Sequence, residues 1–271
     1  MPDIQQIMQI PWGRLFLLFF CIYLLLCTFA FVYADKILFP APHPSSCRDD
    51  QVDFYLTTDM GLKIACARSI PEEPSQLVIL YSHGNAEDLG DVVPYLPEMV
   101  EEGMEVIAYD YPGYGLSEGK PSESGCYEAI EAVYKHMINE LEIDPARIVV
   151  WGRSLGTGPS CHLAATQKVG GLLLEAPFLS AFRSITEIPV FPGDRFRNLE
   201  RIAAIKSPSL VIHGRLDEVI PFRQGKRIHM ELPEPKSFLE IPTASHNDLN
   251  LKGGVSYHAA IRDFLSQVIR G

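Results

Sequence analysis

Residues 148–156, IVVWGRSLG, contain an apolar run that is followed at once by a tight-turn motif. The run IVVW at 148–151 is rich in β-branched residues, which is typical of a strand buried on both faces of a parallel sheet. A helical pattern over residues 155–167 comes next. A G-x-S-x-G motif between a strand and a helix predicts that Ser154 stands on a strained turn, with its hydroxyl clear of the backbone.

The motif makes Ser154 a candidate nucleophile. Gly152 and Gly156, two residues to either side, remove the side chains that would collide in so sharp a turn. The positive end of the following helix favours an oxyanion that develops beside the serine. The alternative interpretation is a plain tight turn without chemistry.

Similar apolar runs alternate with helical patterns on both sides of this motif. The predicted buried strands are 77–82, 105–110, 148–151, 170–175, 209–213 and 237–241. The predicted helices are 88–102, 122–141, 155–167, 221–231 and 254–270. Residues 51–57 and 62–69 predict a hairpin before them. The alternation predicts an α/β fold with a mostly parallel sheet, an N-terminal antiparallel hairpin and helices on both faces. The irregular insert at 178–207 is too short for a large cap domain.

A serine hydroxyl at neutral pH needs a base, and the base needs an acid to orient it. In an open sheet the reactive groups lie beyond the carboxyl ends of the strands. Among the histidines after Ser154, only His246 lies in a loop between the last strand and the last helix. We therefore predict His246 as the general base, and the alternative is a histidine of a surface loop.

The predicted acid is Asp217, in the loop after the strand at 209–213. Glu218 is the neighbouring competitor, while Asp248 is too close to His246 in sequence to orient its ring from behind. The resulting chain order, Ser…Asp…His, is typical of one class of hydrolase folds and differs from the orders of the two well-known serine protease folds.

An oxyanion hole requires two N–H donors. The residue after the nucleophile, Leu155, is one candidate. The second is the backbone N–H of Asn85, which follows the strand at 77–82 in the sequence Ser82-His83-Gly84-Asn85. The alternative is that His83 and Gly84 only turn the chain.

Composition limits the other classes of function. The chain has 271 residues, enough for one large domain or two small ones. Its 23 basic and 34 acidic residues give a formal charge of −11, which argues against a nucleic-acid partner. The sequence lacks a complete dinucleotide fingerprint, a phosphate loop and an H-E-x-x-H motif, so we expect no metal and no organic cofactor.

The N-terminal region contains an uncharged apolar run from Leu15 to Tyr33. As a helix it would reach about 28 Å, close to the thickness of the apolar layer of a membrane. We predict a tail at 1–14, a transmembrane signal anchor at 15–33, a linker at 34–50 and a catalytic domain at 51–271. The alternative is a cleaved signal peptide. The charges flanking the run are nearly balanced and predict no orientation.

Six motifs in order give the catalytic region its resemblance to a known family. They are SHGNA at 82–86, YDYPGYG at 109–115, GKPSE at 119–123, GRSLG at 152–156, HG with DEVI at 213–220, and SHND at 245–248. Residues 52–266 resemble the α/β-hydrolase superfamily, and more narrowly the membrane-associated serine hydrolases that remove palmitate from proteins. The resemblance implies the α/β-hydrolase fold and places nucleophile, acid and base on Ser154, Asp217 and His246. That subgroup attaches through a lipidated, cysteine-rich N-terminus, whereas this chain carries an apolar run.

Together these patterns predict a single-pass membrane serine hydrolase that cleaves an acyl ester or thioester. A long acyl chain and a membrane lipid surface are the expected substrate and partner. The alternatives are a serine peptidase, such as an aminopeptidase on the same fold, and a non-catalytic scaffold.

Overall fold

A computed structural model describes residues 12–41, 44–101, 103–186 and 190–271. Its centre is one sheet of eight strands. They are β1 (Phe54–Thr57), β2 (Lys63–Ser69), β3 (Val78–Ser82), β4 (Glu105–Tyr109), β5 (Ile148–Arg153), β6 (Gly171–Glu175), β7 (Ser209–Gly214) and β8 (Lys236–Ile241). Their order across the sheet is β1-β2-β4-β3-β5-β6-β7-β8.

The sheet is antiparallel at one edge and parallel elsewhere. Strand β1 pairs with β2, and β2 with β4, in antiparallel register, while all pairs from β4 to β8 are parallel. Strands β3, β6 and β7 are buried along their whole length, which explains why they read as unbroken apolar runs. The predicted hairpin and mostly parallel sheet are confirmed.

The helices are α1 (Trp12–Leu38), α2 (Leu89–Val92), α3 (Leu96–Glu101), α4 (Glu123–Asn139), α5 (Thr157–Thr166), α6 (Arg183–Thr186), α7 (Asn198–Arg201), α8 (Phe222–Glu231) and α9 (Leu249–Arg270). The helix predicted at 88–102 is split by a short 3₁₀ helix at Val93–Tyr95, which contains Pro94. The last helix begins five residues earlier than predicted and is interrupted at Gly254, whose φ of 46° is left-handed.

Two hydrophobic cores cover the two faces of the sheet. On one face, Ile130 of α4, Leu163 of α5 and Ile228 of α8 pack against the strands. On the other face, Leu89 of α2 and Phe264 of α9 do so. The helices therefore lie on both faces, as the alternation of patterns predicts, and the C-terminal edge of the parallel strands is left to the loops.

The N-terminal helix is longer than the predicted span. Helix α1 continues to Leu38, so the first residues of the predicted linker at 34–50 are helical. The most apolar 18-residue window within residues 12–36 has a mean hydropathy of 2.8, and the helix is apolar and long enough to cross a membrane. The first eleven residues of the predicted tail lie outside the described part of the chain.

Candidate active site

The turn after β5 holds Ser154 in an unusual backbone conformation. Ser154 has a φ of 51°, in the left-handed region that is costly for a residue with a Cβ. A short 3₁₀ helix at Ser154–Gly156 leads from it into α5. A Cβ at Gly156 would overlap the backbone carbonyl of Ser82, so the close approach of β3 requires glycine there.

Three side chains from separate loops meet at this turn. The Nε2 atom of His246 lies 2.9 Å from the Oγ atom of Ser154. On the other side of the ring, its Nδ1 atom lies 2.8 Å from the Oδ2 atom of Asp217. All three residues are less than 10% exposed. A ring that donates from Nδ1 to the carboxylate leaves Nε2 free to accept the serine proton.

The carboxylate of Asp217 is held by several donors. Its Oδ1 atom accepts backbone N–H hydrogen bonds from Val219 at 2.9 Å and Ile220 at 2.7 Å. Burial raises the pKa of Asp217, but hydrogen bonds from His213 and His246 outweigh it and hold the pKa below its ordinary value. Asp217 is therefore charged at neutral pH, and its Oδ2 atom lies within hydrogen-bond distance of the ring of His246.

Sequence reasoning did not assign a role to His213, the last side chain of β7 before Gly214. Its Nε2 atom lies 3.3 Å from Oδ2 of Asp217 and 3.0 Å from the carbonyl oxygen of Ile220. The position of His213 at the carboxyl end of a strand was the available signal. Its ring braces the loop that carries Asp217.

The two predicted oxyanion residues, Leu155 and Asn85, lie in the serine turn and in the loop after β3. Leu155 directly follows Ser154 in the 3₁₀ helix and is buried. Asn85 lies in the turn after β3, where its carbonyl accepts a hydrogen bond of 2.8 Å from the hydroxyl of Tyr114. The Nδ2 atom of Asn85 donates to the carbonyl oxygen of Leu38, 3.3 Å away, at the end of α1. Their N–H groups remain the predicted oxyanion donors.

Arg153 connects the serine turn with the loops after β3 and β8, which the sequence did not reveal. Its guanidinium forms an ion pair with Glu87 and donates to Oδ1 of Asn247 at 3.0 Å, next to His246. Glu87 in turn accepts the backbone N–H of Gly84 at 2.9 Å. Burial raises the pKa of Glu87, but the charge of Arg153 and the hydrogen bond from the N–H of Gly84 together outweigh it and lower the pKa, so the pair is charged.

Breaking this pair should destabilise the fold. In Glu87→Gln, Arg153 keeps its charge in a largely buried place without a carboxylate partner. We expect the free energy of unfolding of the full chain in detergent to fall by about 3 kcal/mol. Glu240→Gln is the matched control, because the Arg215–Glu240 pair is exposed and should contribute less than about 1 kcal/mol. Equal losses from the two variants would contradict the assignment.

A cavity of about 690 Å³ opens beside His246. Its apolar wall includes Tyr81, Trp151 and Leu249, and its polar wall includes Glu87, Arg153 and Glu175. Burial raises the pKa of Glu175, which also accepts a hydrogen bond from the hydroxyl of Tyr257. The volume is within the range of small-ligand sites, roughly 300–1,000 Å³.

Comparison with known proteins identifies the family. The α/β-hydrolase fold family matches residues 78–198. The α/β-hydrolase domain-containing protein aho-3 of Caenorhabditis elegans is 36% identical over 233 residues, which are 83% of this chain and 68% of that protein. The human α/β-hydrolase domain-containing protein 17B is 34% identical, over 82% of this chain and 78% of that protein.

The chain belongs to the α/β-hydrolase family. The resemblance and the fold class predicted from the six motifs are confirmed. Solved structures agree on the fold. An esterase of Pyrococcus furiosus superposes with a TM-score of 0.67 at 18% identity, over 80% of this chain and 91% of its own. An α-β serine hydrolase homologue from Coxiella burnetii gives 0.59 at 23% identity, over 80% and 95%.

Proposed function

We propose that this α/β-hydrolase is a membrane-anchored serine hydrolase that cleaves long-chain acyl thioesters or esters. The observation that carries the proposal is the hydrogen-bonded series from Ser154 through His246 to Asp217. An unused serine turn would need neither a ring nitrogen aimed at its hydroxyl nor a carboxylate behind that ring.

The reaction proceeds in two halves. The Oγ atom of Ser154 attacks the acyl carbonyl while Nε2 of His246 takes its proton, and the N–H groups of Leu155 and Asn85 stabilise the oxyanion. The carbon–sulfur or carbon–oxygen bond to the leaving group then breaks, and His246 gives that group its proton. Water attacks the acyl-serine with His246 again as base, releasing the fatty acid and restoring Ser154.

Two features support a long-chain acyl substrate. The cavity beside His246 has an apolar wall and about 690 Å³ of space, enough for a folded acyl chain. Helix α1 is apolar over residues 12–36, and as a membrane anchor it would keep the site close to lipid. Both features are consistent with an enzyme that removes palmitate or a similar acyl chain from a protein or lipid.

A peptidase is less well supported. An aminopeptidase needs a free carboxylate near its pocket to bind the substrate amine. On the cavity wall, Glu87 is paired with Arg153, and Glu175 accepts a hydrogen bond from Tyr257. Both are engaged within the protein.

The substrate class is tested with the full chain in phosphatidylcholine vesicles. Acetyl and palmitoyl thioesters of one thiol, and aminoacyl amides of one fluorophore, are compared by kcat/KM. We expect the palmitoyl thioester to be preferred over the acetyl thioester by at least about tenfold, since each buried CH₂ adds about 0.8 kcal/mol of binding. Equal rates on the two thioesters would remove the long-chain assignment, and preference for the aminoacyl amide would favour a peptidase.

A further inference from the structure

Helix α1 packs one face against the catalytic domain. Cys27 and Ala34 are buried, although most of the apolar helix surface around them is exposed. Tyr23, Cys27 and Ala34 follow helical spacing and lie on one side of the helix. One side of the helix therefore contacts protein at these positions, while the rest of its surface is exposed.

The partner of this stripe is the insert at 178–207. The Nε atom of Arg195 lies 3.3 Å from Oδ1 of Asp35, and its guanidinium lies 5.5 Å from the ring centre of Phe31. A Cβ at Gly193 would lie 3.0 Å from the ring of Phe31. Residues 193 and 195 of the insert therefore contact the last turns of helix α1.

Further along the helix, the hydroxyl of Tyr23 donates to the backbone carbonyl of Val190 at 2.8 Å. The insert therefore runs along helix α1. Arg195 lies beside Asp35, and Val190 lies beside Tyr23, nearer the N-terminus of the helix. Lys36, at the polar end of the span, is 13 positions after Tyr23, which corresponds to about 20 Å of helix. The apolar layer of a membrane is about 30 Å thick, so Tyr23 lies deep within it.

The charge of the residues along this contact decreases toward the middle of the span, as burial in a membrane would require. The charges of Arg195 and Asp35 lie at the level of the polar end, and residues 190–193 (VFPG) carry none. In a hydrocarbon layer, a backbone carbonyl needs a hydrogen-bond donor, and a tyrosine hydroxyl needs a hydrogen-bond acceptor. Tyr23 and Val190 satisfy each other.

From this arrangement we propose that residues 190–193 of the insert enter the apolar layer of the bilayer beside helix α1, so that the catalytic domain is partly immersed in lipid. This inference rests on the membrane anchoring in the proposed function. The partner of this surface is the acyl-chain region of a phospholipid bilayer.

The immersed segment adjoins the active site. The carbonyl of Leu38, at the end of the same helix, accepts the hydrogen bond from Asn85 of the predicted oxyanion loop. Phe196, which follows the segment, packs so closely on Gly158 of α5 that a Cβ there would overlap its ring. Through these contacts the segment is connected to the predicted oxyanion loop and to the helix that follows Ser154.

Fluorescent labels on single exposed cysteines test the immersion, since the other five native cysteines are buried. The full chain carries Cys21→Ser with either Val190→Cys or Ile70→Cys, labelled with a nitrobenzoxadiazole maleimide and reconstituted in phosphatidylcholine vesicles with doxyl groups on the acyl chains. Ile70 is the control, because it is exposed and follows β2 at the opposite edge of the sheet. A separate sample without these substitutions, labelled at native Cys21, which is exposed within the span, reports on the anchor. We expect the label at 190 to be quenched about threefold more than the label at 70, because the doxyl groups lie in the hydrocarbon layer.

The outcomes separate the two proposals. Equal quenching at 190 and 70, with strong quenching at Cys21, would overturn the immersion and leave the hydrolase proposal intact. Absence of quenching at Cys21 would overturn the anchor and the immersion together. Failure of the unlabelled chain to hydrolyse either thioester, with 190 quenched, would overturn only the hydrolase.

A charge on the segment gives an independent measurement. Val190→Asp should lower hydrolysis of palmitoyl thioester in vesicles by about tenfold, because a carboxylate is costly at acyl depth. Hydrolysis of the soluble acetyl thioester should stay unchanged, which also shows that the variant folds. Ile70→Asp is expected to affect neither substrate, and an equal effect of both variants would contradict the immersion.

Discussion

Ser154→Ala is expected to lower kcat by about 10⁵- to 10⁶-fold on every substrate and to abolish labelling by a fluorophosphonate probe. The substitution removes the atom that forms the acyl-enzyme but leaves His246, Asp217 and the predicted oxyanion donors in place. Only the catalysis that these groups provide without a nucleophile would remain. Turnover of the acyl thioester and gel-based fluorescence of the probe measure the two effects.

The matched control is Ser160→Ala, in the next helix. Ser160 is also buried, and its hydroxyl has no hydrogen-bond partner within the described ranges of the chain. Its loss should leave kcat within about twofold and should not impair folding, since no hydrogen bond is broken. Probe labelling that survives Ser154→Ala and disappears in Ser160→Ala would move the nucleophile to position 160.

Asp217→Asn is expected to lower kcat by about 10⁴-fold with little change in fold. An amide has the size of the carboxylate, but its NH₂ group is a donor and cannot accept the Nδ1–H bond of His246. The ring then takes the other tautomer, and its Nε2 atom carries a proton and cannot receive that of Ser154. Steady-state kinetics on the acyl thioester test this.

Glu218→Gln serves as its control. Glu218 competed with Asp217 in the sequence, but its side chain is exposed. Its replacement should leave kcat unchanged within about twofold, as most exposed substitutions do. A loss in Glu218→Gln that equals the loss in Asp217→Asn would show that charge in this loop matters rather than the contact with His246.

The depressed pKa of Asp217 also sets a pH window. A carboxyl group whose pKa is lower folded than unfolded stabilises the fold above its unfolded pKa of about 3.9, and this contribution is lost as pH falls toward the folded value. Asp217 therefore stays ionised through the mildly acidic range. A limb of the pH–rate profile above about pH 5 would belong to another group.

Much of the fold and the positions of the candidate residues could be predicted from local sequence. Apolar runs without alternation marked the buried strands, because both faces of a parallel sheet are covered. The carboxyl ends of β5 and β7 then placed Ser154 and Asp217 at one edge of the sheet, and the loop after β8 added His246. The structure brings these three side chains within hydrogen-bond distance.

The contacts that sequence reasoning missed depend on where distant segments meet. The partner of Arg153 is 66 positions away, and that of Tyr23 is 167 positions away. Neither has a spacing rule, because side-chain reach across loops depends on the packed structure. Helix ends were missed for a different reason. Helix α1 continues past the apolar run to Leu38, because polar residues such as Asp35 and Lys36 are compatible with helix when the domain packs beside them.

The left-handed backbone at residue 154 has a consequence for how the sequence evolves. Glycine would relieve this conformation and stabilise the fold by about 1 kcal/mol while removing the reacting oxygen. In a duplicated gene whose product is no longer required to turn over its substrate, selection for stability would favour that exchange. Position 154 would then be among the first to record the loss of activity.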